Sequence, residues 1–240
     1  SVIYTAKGTR YQFNIEAIKT LKNIEAENRT ATPDEQAVLS KYSGWGAIPQ
    51  AFDSINDKWK SEYAELKELL TDEEYSAARQ STLNAHYTSP TVINAIYDGL
   101  RQLGFNSGKV LEPSAGIGNF IGAAPSDMKL KFTGVELDSL TGRIAKQLYP
   151  ESDIQVTGFE KTDFADNSFD AAISNVPFGD YKVNDPRYND RNLFIHDYFF
   201  EKALDKVHPG GIVAFVTSKG TMDKADEEVR KYLAQNAERS

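Results

Sequence analysis

Asn175-Val176-Pro177-Phe178 joins a side-chain amide, a rigid imino ring and an aromatic ring directly after Phe169 to Ile173, a short apolar run that reads as a buried strand. An amide oxygen and a neighbouring backbone carbonyl can accept both hydrogens of an exocyclic amine, while an aromatic face stacks on the ring carrying that amine. Asn175, the Val176 carbonyl and Phe178 are therefore suited to holding a flat, nitrogen-bearing group by its edge and its face. Such an amine reacts only if a donor is held beside it.

Residues for a donor occur earlier in the chain. Glu112-Pro113-Ser114-Ala115-Gly116-Ile117-Gly118-Asn119-Phe120 follows an expected strand from Lys109 to Glu112, and its two glycines let a ligand approach the backbone closely. The same spacing also serves ordinary turns. Ile121 stands where a dinucleotide fingerprint places its third glycine, which argues against a pyrophosphate-binding dehydrogenase. Gly134-Val135-Glu136-Leu137-Asp138 ends the next expected strand. There Glu136 is the candidate to accept ribose hydroxyls, and Asp138 the candidate to cap the following helix. Gly158-Phe159-Glu160-Lys161-Thr162-Asp163 follows the third strand, with Glu160 and Asp163 competing either to receive an adenine amino group or to stand as solvated loop charges.

The elements that must position these residues fall into two regions that divide near Asn84. Apolar residues at helical spacing predict helices over Glu16–Ala26, Asp34–Ser40, Lys58–Leu70 and Asp72–Gln80. Thr32 and Thr71 each precede a glutamate by three residues, the capping-box pattern. Trp45, between two glycines, is read as a packing anchor in a turn. Beyond Asn84, strands are expected at Phe132–Leu137, Ile154–Thr157, Phe169–Ile173 and Ile212–Thr217. Helices are expected after Ser89-Pro90 and near Asn119–Ala124, Ser139–Leu148, Phe194–Val207 and Lys224–Gln235. Short apolar strands alternating with helices imply a parallel sheet covered on both faces, with ligands at the carboxyl ends of the strands.

In this order the motifs resemble the amino-group DNA methyltransferases that make N6-methyladenine. Leu111 to Gly118 is similar to that family's S-adenosylmethionine loop, and Asn175 to Phe178 to its Asn-Pro-Pro-Tyr/Phe motif. His86-Tyr87-Thr88-Ser89-Pro90 resembles the motif that holds the methionine end of the cofactor. Tyr42 to Gly46 and Asn175 to Gly179 resemble a subgroup found in large methylase-helicase polypeptides of phages and conjugative elements.

The resemblance implies a Rossmann-like α/β methyltransferase fold with a mostly parallel sheet. Residues 1–84 would form an N-terminal helical extension and 85–240 the catalytic domain, the sheet stopping short of the family's last strands and target-recognition region. It further implies S-adenosylmethionine bound by Tyr87, Thr88, Glu112, Pro113, Ser114, Ala115, Gly116, Gly118, Asn119, Phe120, Glu136, Leu137, Phe159 and Glu160. Asn175, Val176, Pro177 and Phe178 would act on a flipped adenine. An RNA or protein-glutamine acceptor on the same fold, or a scaffold module without turnover, stands as the alternative.

Composition narrows the setting. A formal charge of -8 gives no surplus of cations for a broad phosphate footprint, so DNA binding by this segment is expected to be weak or absent without the rest of a larger polypeptide, such as a helicase. The chain has no cysteine, which excludes disulfides, thiolate zinc sites and cytosine-type thiolate catalysis. With no membrane span expected and no metal-ligand spacing, the expectation is a soluble, cytoplasmic, metal-free protein. Within Phe194 to Phe200 most residues are read as core, with His196 satisfied by Asp197 or a loop carbonyl. The loop 180–192, carrying Lys182, Arg187 and Arg191, is read either as a lid or phosphate contact or as a solvated loop.

Overall fold

The computed structural model describes residues 6–83 and 88–217 and the backbone of Tyr232–Gln235. Six strands form one sheet: β1 (Ser107–Glu112), β2 (Lys129–Glu136), β3 (Asp153–Val156), β4 (Phe169–Val176), β5 (Val207–Thr217) and β6 (Tyr232–Gln235). Their order is β3-β2-β1-β4-β5-β6, parallel throughout except for β6, which runs antiparallel to β5. This is a Rossmann-like arrangement. The order reverses between β1 and β4, so the crevice for a ligand opens beyond Glu112 and Val176.

Alternation along the strands sorts side chains to the two faces. Val110, Ala171, Ile173, Ile212, Ala214 and Val216 pack with Ile93, Ile96, Tyr97 and Leu100 of helix α5 (Pro90–Gln102). Leu111, Ala172, Val176, Val213 and Phe215 face the other way, against Tyr198, Phe199 and Ala203 of helix α8 (Ile195–Lys206). Both faces are covered, as continuous apolar strands require.

The amino-terminal region forms helices α1 (Ala6–Ala26), α2 (Pro33–Leu39), α3 (Lys60–Leu69) and α4 (Asp72–Ser81). Thr32 and Thr71 make complete capping boxes with Glu35 and Glu74. These helices share their core with α7 (Ser139–Leu148), whose Leu140 and Ile144 are buried among Ile18, Leu21, Leu39 and Trp45. Trp45 anchors this core edge-to-face against Tyr11, Tyr42 and Phe52. Polar contacts stitch the seam: Gln36 Nε2 donates to the Gln147 carbonyl at 2.9 Å, and Arg143 reaches Glu74 at 2.7 Å. Burial opposes ionisation of Glu74, yet hydrogen bonds from Lys22 and Arg143 outweigh it and hold the carboxyl down at about 2.

Two expectations change. Tyr232–Gln235 lies in a strand paired with β5 rather than in a helix, because the exposed edge of β5 offers backbone partners from Ile212 to Phe215. The rest of that expected helix, residues 224–231, is outside the described residues. Strand β4 also runs three residues further than its apolar run, so Asn175 and Val176 belong to the strand itself.

Candidate active site

Strand periodicity decides where Asn175 points. It shares a face with Ala171 and Ile173, the face of α5, and so meets the residue that leads into that helix. Asn175 Nδ2 donates to Thr88 Oγ1 at 2.9 Å. Its Oδ1 is buried and has no hydrogen-bond partner, with the residue only 5% exposed. A buried acceptor left unpaired is costly, and a ligand's donor would relieve that cost. One residue earlier, Ser174 Oγ donates to the Ser114 carbonyl at 3.3 Å, tying β4 to the glycine loop.

That loop bends sharply after β1. Gly116 and Gly118 have φ of 58° and 92°, left-handed values that a side chain would strain. Gly118 also carries the ring of Tyr149, which a Cβ would meet at 2.5 Å, whereas Gly116 opens onto free space. The Gly116 N–H donates to Glu136 Oε1 at 3.1 Å and the Asp138 N–H to Glu136 Oε2 at 3.0 Å. Glu136 is thus clamped at the end of β2. Burial, with the Asp138 charge adding to it, pushes its carboxyl up to about 7 despite these backbone bonds. Leu137 beside it is 74% exposed.

Glu112, at the end of β1, is 1% exposed and its Oε2 has no partner. Burial raises its carboxyl well above the ordinary range, and the nearby Glu136 charge adds to the effect. A buried carboxylate with an unpartnered oxygen and a half-buried one held by backbone N–H groups make a site that a cation and a pair of hydroxyls would satisfy. S-adenosylmethionine carries an ammonium, a sulfonium and a ribose diol, so the residues fit that group.

Other expected residues take different places. Pro113, Ser114, Ala115 and Asn119 line the loop, its Ala115 N–H donating to the Val135 carbonyl at 2.9 Å. The rings of Phe120 and Phe159 are core, each 2% exposed, so neither offers a face to a ligand. The Phe159 ring packs against Tyr198 and Phe199 because it starts a turn directly under α8. Glu160 is half-buried and folds over Gly158, while Asp163 is exposed. Thr88 meets Asn175, whereas His86 and Tyr87 are outside the described residues.

Phe178 is half-buried and already carries one partner: the His196 imidazole stacks on it at 4.2 Å and 16°. His196 therefore backs the aromatic of the motif, rather than being satisfied by Asp197, whose Oδ2 lies 3.7 Å from its Nε2. Its Nδ1 is buried without a partner.

Tyr42 belongs to a motif whose role the sequence leaves open, and Asn14 and Lys202 belong to no motif. Tyr42, from the helical region, is buried; burial raises the phenol, and the charge of Asp138 raises it further. Asn14 of α1, fully buried, accepts from the Ser43 N–H at 2.9 Å and donates to the Gly44 carbonyl at 2.6 Å, so it holds the Tyr42 turn in place. Lys202 of α8 is also buried. It donates to Asp185 and to the Phe159 carbonyl, both at 2.9 Å, joining the loop after Phe178 to the turn after β3. Burial lowers this ammonium even beside Asp185. A lysine four residues after Tyr198 gives no sequence signal, because that spacing is equally that of a solvated helix face.

Among the described residues no group of side chains could hold a metal, and no helix is long and apolar enough to cross a membrane. The family model described as Eco57I restriction-modification methylase matches residues 119–239. A curated relative, Defense against restriction protein B of Escherichia phage P1, is 25% identical over 240 residues, which span 95% of this chain and 9% of that protein. Among solved structures, a protein of Listeria monocytogenes assigned as a class I S-adenosylmethionine-dependent methyltransferase aligns with a TM-score of 0.47. Identity there is 17%, over 88% of this chain and 76% of that one. A protein of Pyrococcus horikoshii assigned as an RNA methyltransferase aligns at 0.44 with 16% identity, over 57% and 64% of the two chains.

Proposed function

The chain belongs to the Eco57I restriction-modification methylase family, and from that premise we propose that it transfers a methyl group to the N6 amine of an adenine flipped out of DNA. S-adenosylmethionine, when bound, supplies a methyl made electrophilic by its sulfonium. The observation that carries the DNA-amine reading is the buried, unpartnered Oδ1 of Asn175, an acceptor built into the strand end with its amide nitrogen already engaged by Thr88.

The chain's own residues do the rest by placement. Asn175 Oδ1 and the Val176 carbonyl would take the two N6 hydrogens, drawing the nitrogen toward a tetrahedral geometry and freeing its lone pair for attack. An amide accepts such bonds without changing protonation, so the proton displaced from N6 leaves to solvent. Fixed acceptors cost no reorganisation at the moment of reaction. Phe178, held by His196 on one face, offers its other face to the base. Val176 stands where the family motif has its first proline. Its side chain is buried and its backbone lies in β4, so the strand supplies the rigidity that the imino ring would have given.

On the cofactor side, Glu136 would accept the ribose hydroxyls, Leu137 lie under the adenine, Glu112 receive the ammonium, and the Gly116 backbone approach the methionine chain. We further propose that choice of DNA target is made with other segments of a longer polypeptide. The phage relative, of which this chain matches 9%, and the charge of -8 both support that division of labour.

Incubation with methyl-labelled S-adenosylmethionine and DNA, RNA or protein acceptors tests the reading. Label is expected in DNA at adenine N6 and lost in Asn175→Ala. Transfer to RNA or glutamine instead, or an undiminished rate in Asn175→Ala, overturns it.

A further inference from the structure

Beside Phe178 lies a second aromatic surface that methyl transfer to one base does not use. The Phe194 ring is 41% exposed and 6.3 Å from the His196 ring at 26°, so Phe178, His196 and Phe194 are nearly coplanar in orientation. Tyr181 is 43% exposed, and its ring lies against Gly179, where a Cβ would sit 2.9 Å from it. The Tyr181 carbonyl accepts the Ile195 N–H at 2.9 Å, fixing the loop that follows the motif to the start of α8. Above Phe194, the Lys182 ammonium stands 5.2 Å from the ring centroid while donating to Asn192 Oδ1.

The two arginines of this loop are paired within the chain. Arg187 forms a two-pronged pair with Asp166 at 2.7 and 2.8 Å, and Arg191 pairs with Glu201. Lys182 is not among the residues paired with a carboxylate. The surface therefore offers exposed ring faces and a single cation, a combination that matches one nucleobase and its adjoining phosphate rather than a long backbone track.

We propose that Phe194 and Tyr181, with Lys182, form a stacking surface for the unpaired DNA nucleotide next to the target adenine. This rests on the methyl-transfer reading and deepens it: the substrate is engaged as an unstacked dinucleotide, with Asn175 and Phe178 holding one base and Phe194 and Tyr181 its neighbour. Stacking on an aromatic tolerates any base, since each has a π-face, so this surface grips without reading sequence.

Short single-stranded DNA carrying 2-aminopurine either at the target position or next to it, titrated into this chain saturated with S-adenosylmethionine, tests the proposal. Quenching is expected at both positions. Phe194→Ala should remove the flanking signal and weaken binding by about tenfold, as loss of one base stack does, while Phe194→Trp restores both. Because a single phosphate is engaged, the log–log salt slope should be shallow, about -0.7, and flatten in Lys182→Ala. An unchanged flanking signal in Phe194→Ala, or a slope several times steeper, overturns the stacking surface while target-position quenching leaves the methyl-transfer reading intact. Absent cofactor binding and absent quenching at both positions overturn the two together.

Discussion

Asn175 and Glu136 carry opposite electrostatic problems, and each yields a test. Asn175 leaves an acceptor unpaired in a buried place, a cost that the bound base removes. Asn175→Ala should keep cofactor affinity and lower transfer by on the order of a hundredfold or more, the usual effect of deleting one preorganised polar contact. Single-turnover labelling beside calorimetry separates the two. Glu136 has a carboxyl raised to about 7 by burial. Its ionised form accepts ribose hydroxyls, so affinity for S-adenosylmethionine should rise with pH up to about 7 and level off above it. Glu136→Gln should bind weakly with no such inflection. The sign for stability is reversed: because the folded value lies above the unfolded one, the unfolded chain sheds this proton first. Without cofactor, stability should therefore fall as pH rises from the ordinary carboxyl range to about 7. Thermal melts with and without cofactor across that window check both.

At the level of elements, the turn holding Tyr42 is fastened by Asn14 of α1 and brings a buried phenol near Asp138, the N-cap of α7. Asp138 in turn donates its N–H to Glu136, and we propose that the first helix acts on the cofactor site along this path. Asn14→Ala would remove two hydrogen bonds to the exposed Ser43 and half-buried Gly44 and should cost about 1–2 kcal/mol, read as a drop in the denaturant midpoint. Tyr42→Phe, which keeps the ring and its packing, should leave the fold intact and weaken cofactor binding severalfold. Equal affinity in Tyr42→Phe would show that the turn serves packing alone. The path as a whole is invisible to motif spacing, since Asn14 and Glu136 lie more than a hundred residues apart and are joined through side chains common in any core.

Across the molecule, the amino-terminal helices and α7 form one core, with Leu140 and Ile144 fully covered. We propose on this ground that residues 1–84, although distinct in pattern, are not separable from the rest. A chain beginning at residue 85 should expose that face of α7 and aggregate or bind the dye used for molten states, whereas the full chain should melt in one transition. Separate, independent melting of the two regions would refute it.

Much of the molecule was legible in the order of its residues. Alternation and capping signals located β1 to β5, both capping boxes and the Asp138 cap, because these depend on neighbours within a turn or two. The types and order of the motifs carried the family, and the reversal of strand order placed Glu112 and Asn175 at one crevice. Other assignments needed packing in three dimensions. An aromatic such as Phe159 or Phe120 has the same sequence signal whether its ring faces a ligand or the core, and α8 or α5 decided for the core. Tyr232–Gln235 carries helical periodicity, yet a free strand edge outweighed it. The stack of His196 on Phe178, the bond from Gly116 to Glu136 and the hold of Asn14 on the turn after Tyr42 all join separate segments. Local preference is set within a few residues along the chain, but which side chains become neighbours across a sheet is settled only when the layers close.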